Sequence, residues 1–268
     1  MNTKPRFEMR ISTEGKGLVS GIAPDSPAGQ WIRQNKLACA HADLEFTDPH
    51  LGRGGFGASS AQYLLTNIAV QVLKNPDQKE NLKIESIWRA YRQMETISSE
   101  GLRLSGADLV GQYTGGLCVF QAEPFEAHAF NWPFAEEDVV LVSTGHKLST
   151  HEHLRGLKRV NTEELEWIYK RAMEAIIAHN VQAFYDNVND YYAELLELGL
   201  VAENTQVLAT SLLAKPFVHA AKGCGAMGSD VIAIFISKKS RPQLEKTLAA
   251  LNLRAVTDTS QIDRGFHE

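Results

Sequence analysis

Cysteine is scarce in this sequence. Three occur in 268 residues, Cys39, Cys118 and Cys224. They are odd in number, far apart and without a Cys-x-x-Cys pair, which argues against a disulfide framework and a structural zinc site. Residues 1–10 are polar and carry no apolar secretory core. A reducing, cytoplasmic location is therefore expected. No apolar run approaches the ~20 residues of a membrane-spanning helix, so no membrane partner is expected. Positive charge is in deficit: 27 Lys and Arg against 32 Asp and Glu leave a net charge of −5. Nothing in that balance argues for a nucleic-acid partner. Repeats and low-complexity tracts are absent. So are the Gly-x-x-x-x-Gly-Lys-Ser/Thr phosphate loop and the His-Arg-Asp loop of protein kinases. What remains is an ordinary globular composition, 44% hydrophobic and 22% charged. The length holds one large domain or two small ones.

What is abundant is glycine, concentrated in one stretch. Gly52-Arg53-Gly54-Gly55-Phe56-Gly57 runs into Ala58-Ser59-Ser60-Ala61. An apolar series at helical spacing follows: Tyr63, Leu64, Leu65, Ile68, Ala69, Val72, Leu73. A helix beginning near Ala58 is predicted. Glycines allow positive φ and close backbone approach to a ligand. A helix N-terminus offers unpaired N–H groups and a partial positive charge, so the junction suits a phosphate. The plain alternative is a flexible turn before a helix.

Alternation of apolar and polar residues predicts a strand over Phe7-Glu8-Met9-Arg10-Ile11. A hairpin turn from Gly15 with a return strand at Leu18-Val19-Ser20 follows, then a loop through Ala23-Pro24-Asp25-Ser26-Pro27. A further strand is predicted from Leu37 to Phe46. Residues 84–97 read as a second helix, with Ile84, Ile87, Trp88, Tyr91 and Met94 on one face. A second loop spans 104–111, before Gly115-Gly116 and a strand at Leu117-Cys118-Val119-Phe120. Strands are predicted at 128–132 and 139–142. Residues 162–200 read as helical, capped by Asn161 or Thr162, with Glu163 and Glu164 in the favoured first turn. Residues 221–230 form a third glycine loop. Val231-Ile232-Ala233-Ile234-Phe235-Ile236 is a continuous apolar strand. A helix over 242–251 and a strand over 253–256 close the chain. The pattern is α+β, two-lobed, with a β-rich N-terminal lobe (1–145) and a helix-rich C-terminal lobe (146–268).

Gly52-x-Gly54-x-x-Gly57 also matches the dinucleotide fingerprint, which would make the chain an NAD-binding oxidoreductase. That motif belongs after the first buried strand of a parallel βαβ unit, with an acidic residue about twenty positions on. The preceding strand alternates like an antiparallel one, and Asp77 and Glu80 lie in a polar connection. His151 and His153 have metal-ligand spacing, close to His146, but no third ligand is near.

Taken together, the three loops resemble those of the GHMP kinase superfamily, the galactokinase, homoserine kinase, mevalonate kinase and phosphomevalonate kinase group. Gly55-Phe56-Gly57-Ala58-Ser59-Ser60-Ala61 is similar to its Gly-Leu-Gly-Ser-Ser-Ala-Ala nucleotide loop. Ser105-Gly106-Ala107-Asp108 is similar to its Ser-Gly-x-Asp segment. Gly223-Cys224-Gly225-Ala226-Met227-Gly228-Ser229-Asp230 is similar to its third, glycine-rich motif. Val142-Ser143-Thr144-Gly145 and Ser149-Thr150 fall where members carry a strand and a Thr-containing turn. The resemblance runs from about Phe7 to Phe235.

The resemblance implies a GHMP-kinase-like fold and phosphorylation of a small molecule with ATP and Mg2+, most closely mevalonate or phosphomevalonate. It implies that Asp108 is catalytic, accepting the substrate hydroxyl proton; the residues alone leave open a turn Asp capping local N–H groups. Gly52, Gly54, Gly55, Gly57, Ala58, Ser59, Ser60, Gly225, Ala226 and Gly228 would hold the nucleotide. Ser59 and Glu95 would lie on the metal side, with Glu100 a rival to Glu95. A homodimer is compatible with the family. The family's first motif, a Pro-Gly-Lys loop ending in Gly-Glu-His, has no counterpart ahead of Gly52, and Thr13-Glu14-Gly15-Lys16-Gly17 is not it. That departure implies an unpaired sheet edge beside Phe7–Ile11, weak turnover, and Lys16 or Lys222 as the substitute cation. It also leaves a second reading, a non-catalytic nucleotide- or metabolite-binding protein on the same scaffold.

Overall fold

The computed structural model describes residues 1–76, 82–94, 105–145, 161–224 and 231–267. The chain divides into two units. The first comprises Met1–Gly52, Gly57–Phe130 and Ile262–Glu268; the second comprises Arg53–Phe56 and Asn131–Gln261.

The first unit opens with strands β1 (Glu8–Ser12), β2 (Val19–Ser20) and β3 (Asp43–Thr47), in the order β1-β3-β2. β1 pairs antiparallel with β3, from Glu8 opposite Thr47 to Ser12 opposite Asp43. The expected hairpin is not what forms. β2 runs parallel to β3 and leaves β1 an edge strand. The reason is Asp43, whose carboxylate accepts the N–H groups of Lys16 (2.8 Å) and Leu18 (2.9 Å) and so draws the segment across to β3. Those backbone bonds, Leu18's first, hold the Asp43 pKa below the ordinary aspartate value.

Helices α1 (Pro27–Gln34) and α2 (Lys36–Cys39) stand between β2 and β3. Both correct the sequence reading. Ser26 accepts the Gly29 N–H with its side chain and Pro27 follows at the first helical position, a helix start that resembles a loop in composition. Only residues 43–47 of the strand expected from Leu37 are extended.

Helix α3 (Ala58–Lys74) begins where the glycine stretch predicts. It is the hub of the unit. Ala69 and Val70 join Leu44 and Cys39 against the sheet, while Tyr63, Leu64 and Ile68 join a second cluster. That cluster draws in Ile87, Trp88 and Tyr91 of α4 (Ile84–Met94) and Leu109 and Val110 of α5 (Ala107–Thr114). α5 replaces most of the expected second loop. Gly111 interrupts its sequence, Gly106 and Gly115 flank it, and together they conceal its apolar period. After it come β4 (Leu117–Gln121) and β5 (Glu126–Phe130), an antiparallel pair. The terminal segments meet beside them. Asn2 N–H donates to Gly116 O, Gly116 N–H to Asp263 O, and Asp263 N–H to Asn2 O, all within 2.8–3.0 Å. The Arg6 guanidinium forks onto the nearly buried Asp263 carboxylate.

The second unit is built on a four-stranded antiparallel sheet of β6 (Glu137–Ser143), β7 (Val218–Cys224), β8 (Val231–Ser237) and β9 (Ala255–Thr257), in the order β7-β8-β6-β9. β8 explains its continuous apolar sequence. Ile232, Ile234 and Ile236 face one cluster, and Ala233 and Phe235 face another. A strand covered on both faces has no reason to alternate. Helices α6 (Glu163–Ile177) and α7 (Val181–Glu197) supply Ala175, Phe184, Tyr185 and Val188 to the second cluster. Helices α8 (Glu203–Leu213) and α9 (Arg241–Ala250) supply Ala209, Leu212, Leu244 and Leu248 to the first. α8 is absent from the sequence reading. The α6 start agrees with it, and the Asn161 side chain is the group that accepts the Glu163 N–H (3.0 Å). Gly199 ends α7 at φ 68°, with Leu200 N–H reaching back to Leu195 O. No helix among the described residues is long and apolar enough to cross a membrane.

Candidate active site

The glycine stretch leaves the central strand of its sheet under control of one carboxylate. Beyond β3, Asp48 Oδ1 accepts the His50 N–H and Oδ2 the Gly52 N–H, both at 2.8 Å. This turn fixes where the loop begins. In sequence Asp48 is indistinguishable from any residue that ends a strand.

Gly57 marks the passage from the stretch into the helix. It is the N-cap of α3 at φ 76° and ψ 30°, and it brings no side chain to cap the helix. The first-turn N–H groups at Ala58, Ser59 and Ser60 therefore keep the polarity of a helix N-terminus. Ser59 is exposed there, while Ser60 is buried. Gly52 and Gly55 also take positive φ, 77° and 82°, and Gly54 does not.

Asp108 is delivered by the same device. Gly106 is the N-cap of α5 at φ 69°, and Asp108 stands in the first turn of the helix rather than in a loop. A Cβ on Gly106 would stand 2.7 Å from Cδ1 of the buried Trp88. The Trp88 indole N–H donates to the Ser105 carbonyl at 2.8 Å, and Ser105 Oγ accepts the Ala107 N–H at 3.2 Å. A core tryptophan thus aims the turn that aims Asp108. The Asp108 side chain is exposed, yet the surrounding protein desolvates its carboxylate and raises its pKa above the ordinary aspartate value. Both hold for a carboxylate that opens to water from a recess.

The two helix starts are close. A Cβ built on Gly57 would lie 3.5 Å from Asp108 Cβ. Gln112, one turn beyond Asp108, donates its side-chain N–H to the Gly57 carbonyl at 3.0 Å. Gly57, the first turn of α3 and Asp108 are therefore assembled in one place.

The other expected site residues are not all in view. Glu95, its rival Glu100, Gly225, Ala226 and Gly228 lie outside the described residues, as do Asp77, Glu80, Ser149, Thr150, His146, His151 and His153. The start of the third loop is strand: β7 continues through Gly223 to Cys224. Lys222 lies over the Tyr191 ring at 5.5 Å, and Lys16 is exposed. Among the described residues no group of three or more His, Cys, Asp or Glu could hold a metal ion.

Three solved structures resemble this fold over most of their length. Streptococcus pneumoniae phosphomevalonate kinase, determined with phosphomevalonate and AMPPNP, is 15% identical, with a TM-score of 0.68 over 94% of this chain and 88% of that one. Homoserine kinase from Cytophaga hutchinsonii is 13% identical, with a TM-score of 0.65 over 97% and 86%. Lactococcus lactis galactokinase, determined with galactose, is 13% identical, with a TM-score of 0.65 over 84% and 70%. The fold is that of the GHMP kinases. No protein-family model matches the sequence. No curated protein matches it significantly. The likeness is thus one of GHMP-kinase architecture across partners that act on different small molecules. The dinucleotide reading fares differently. β3 has a parallel neighbour only in the earlier β2, and the next described strand after α3, β4, lies in a separate two-stranded sheet, so no parallel βαβ unit forms around the glycine stretch among the described residues.

Proposed function

We propose that this chain is a GHMP-type small-molecule kinase that uses ATP and Mg2+ and acts on an acceptor of the mevalonate or phosphomevalonate class. The observation that carries the reading is the meeting of the uncapped, glycine-entered start of α3 with the Asp108 carboxylate. Phosphoryl transfer asks a protein mainly for positioning and charge stabilisation. A nucleotide triphosphate supplies the phosphoryl group. The first-turn N–H groups of α3 bind and orient its phosphates, and left-handed Gly57 lets them approach without a side chain in the way. Ser59, exposed in the first turn of α3, would offer its hydroxyl on the metal side. Asp108 takes the proton of an acceptor hydroxyl, and a raised pKa makes it a stronger base than an ordinary aspartate. The acceptor class rests on the resemblance of the three loops, since the fold is shared alike with phosphomevalonate kinase, homoserine kinase and galactokinase.

The test is ADP production from Mg-ATP with mevalonate, phosphomevalonate, homoserine and galactose in turn, with Asp108→Asn as control. One acceptor should support turnover that Asp108→Asn loses. Tight ATP binding with no acceptor turned over would favour the non-catalytic binding protein.

A further inference from the structure

Gln112 is a positioning residue that fixes the glycine loop against Asp108: this we infer from its hydrogen bond across two elements, and the kinetic part rests on the kinase reading above. Gln112 and Asp108 are four residues apart on α5 and so share a face of the helix. Asp108 comes within van der Waals range of the Gly57 position, and Gln112 reaches the Gly57 carbonyl at 3.0 Å. The same carbonyl accepts the Ala61 N–H at 2.9 Å, the first bond of α3.

Peptide planarity makes this contact directional. The Gly57 C=O and the Ala58 N–H belong to one rigid trans unit and point opposite ways. Holding the carbonyl from two sides therefore aims the Ala58 N–H, the first donor that α3 offers to a phosphate. Glycine at position 57 leaves that unit unusually free to rotate, because no Cβ restricts it. Gln112 supplies the restriction that the glycine gives up. It does so from the helix that carries Asp108, so donor and base are set by one piece of the structure.

A Cβ on Gly57 would come within 2.6 Å of Gln112 Nε2. A side chain at position 57 would therefore push the Gln112 amide off the carbonyl. Asparagine at 112 is one methylene too short to reach the carbonyl. Glutamate keeps the length but cannot donate when ionised, and adds a negative charge one turn from Asp108.

The experiment compares Gln112→Ala and Gln112→Glu with the wild-type chain by amide hydrogen exchange and by pH–rate profiles. In Gln112→Ala the Ala61 amide should exchange several-fold faster, with α7 unchanged. Turnover should fall roughly tenfold or more, the scale on which small misplacements act, and the KM for ATP should rise by less. In Gln112→Glu the acid limb of the profile should move to higher pH, because a like charge raises the Asp108 pKa further. A merely structural glutamine would lower the melting temperature of Gln112→Ala and leave its turnover and its KM for ATP in place. Unchanged Ala61 exchange in folded Gln112→Ala overturns the inference, and so do wild-type turnover and pH profile in both folded variants. If the wild-type chain transfers no phosphate to any acceptor, the kinase reading fails, and Ala61 exchange alone still decides whether Gln112 holds the loop.

Discussion

Two kinds of helix start contrast in this chain, beside others such as that of α8, where Ala202 offers neither a capping side chain nor a left-handed glycine. α1 and α7 begin conventionally: Ser26 and Asn180, in extended backbone, accept the Gly29 and Ala183 N–H groups with their side chains. α3 and α5 begin through Gly57 and Gly106 in the left-handed region, with no capping side chain. A side-chain cap satisfies a helix for its own sake. A left-handed glycine leaves the first turn unsatisfied and lets another group come close. The contrast leaves the first turns of α3 and α5 without a side-chain cap at the proposed site. It also puts the stability of the site elsewhere, on buried Trp88 behind Gly106 and on Gln112 behind Gly57.

The most direct way to break the contrast is to give α3 an ordinary residue at its start. Gly57→Val should abolish ATP binding, measured by calorimetry, while circular dichroism shows a folded protein. The side chain meets Gln112, and the left-handed backbone adds strain of about 1–2 kcal/mol. Asp108→Asn should lower turnover by roughly 10²–10⁴-fold with nucleotide affinity little changed. Its stability should move the other way. Desolvation raises the Asp108 pKa in the folded state, so ionisation opposes folding, and stability falls as pH rises from the unfolded value through the folded one. At neutral pH the asparagine variant should therefore melt no lower than wild type. A lower melting temperature together with full activity would make Asp108 a structural cap.

Smaller effects sharpen the other side of the comparison. Arg6→Ala should cost about 1–3 kcal/mol in denaturant unfolding, since it strips a charge-assisted pair from nearly buried Asp263. The Arg6 hydrogen bond holds the Asp263 pKa below the ordinary value, so its contribution is present above pH ~4 and is lost as pH falls through the folded pKa. Asn180→Ala should cost about 1 kcal/mol of stability and leave ATP affinity as it was. An affinity loss in Asn180→Ala equal to that of a loop variant would erase the distinction between the two kinds of helix start.

The sequence carried the parts of this picture that are local and strong. Gly57 followed by Tyr63, Leu64 and Ile68 places the start of α3 to the residue, and the unbroken apolar run at 231–236 marks the strand covered on both faces. It concealed what depends on distant partners. β2 looks like a hairpin return until Asp43 is seen to hold its amides. α5 looks like a loop because its glycines outweigh two apolar residues whose burial comes from α3 and α4. Ser26-Pro27 was a readable start signal hidden in a loop-like composition. Asp108 was legible as a candidate, from the Ser105-Gly106 before it. Gln112 was not, because a glutamine has no signature until the carbonyl 55 positions away is beside it.

The claim on which the rest depends is that Asp108 and the start of α3 form one phosphoryl-transfer site. Phosphorus NMR of the chain with Mg-ATP and each candidate acceptor reads it most directly. A new phosphorylated product should form with one acceptor in step with ADP, and both signals should be lost in Asp108→Asn and Gly57→Val. A product formed at the wild-type rate by folded Asp108→Asn would contradict the claim.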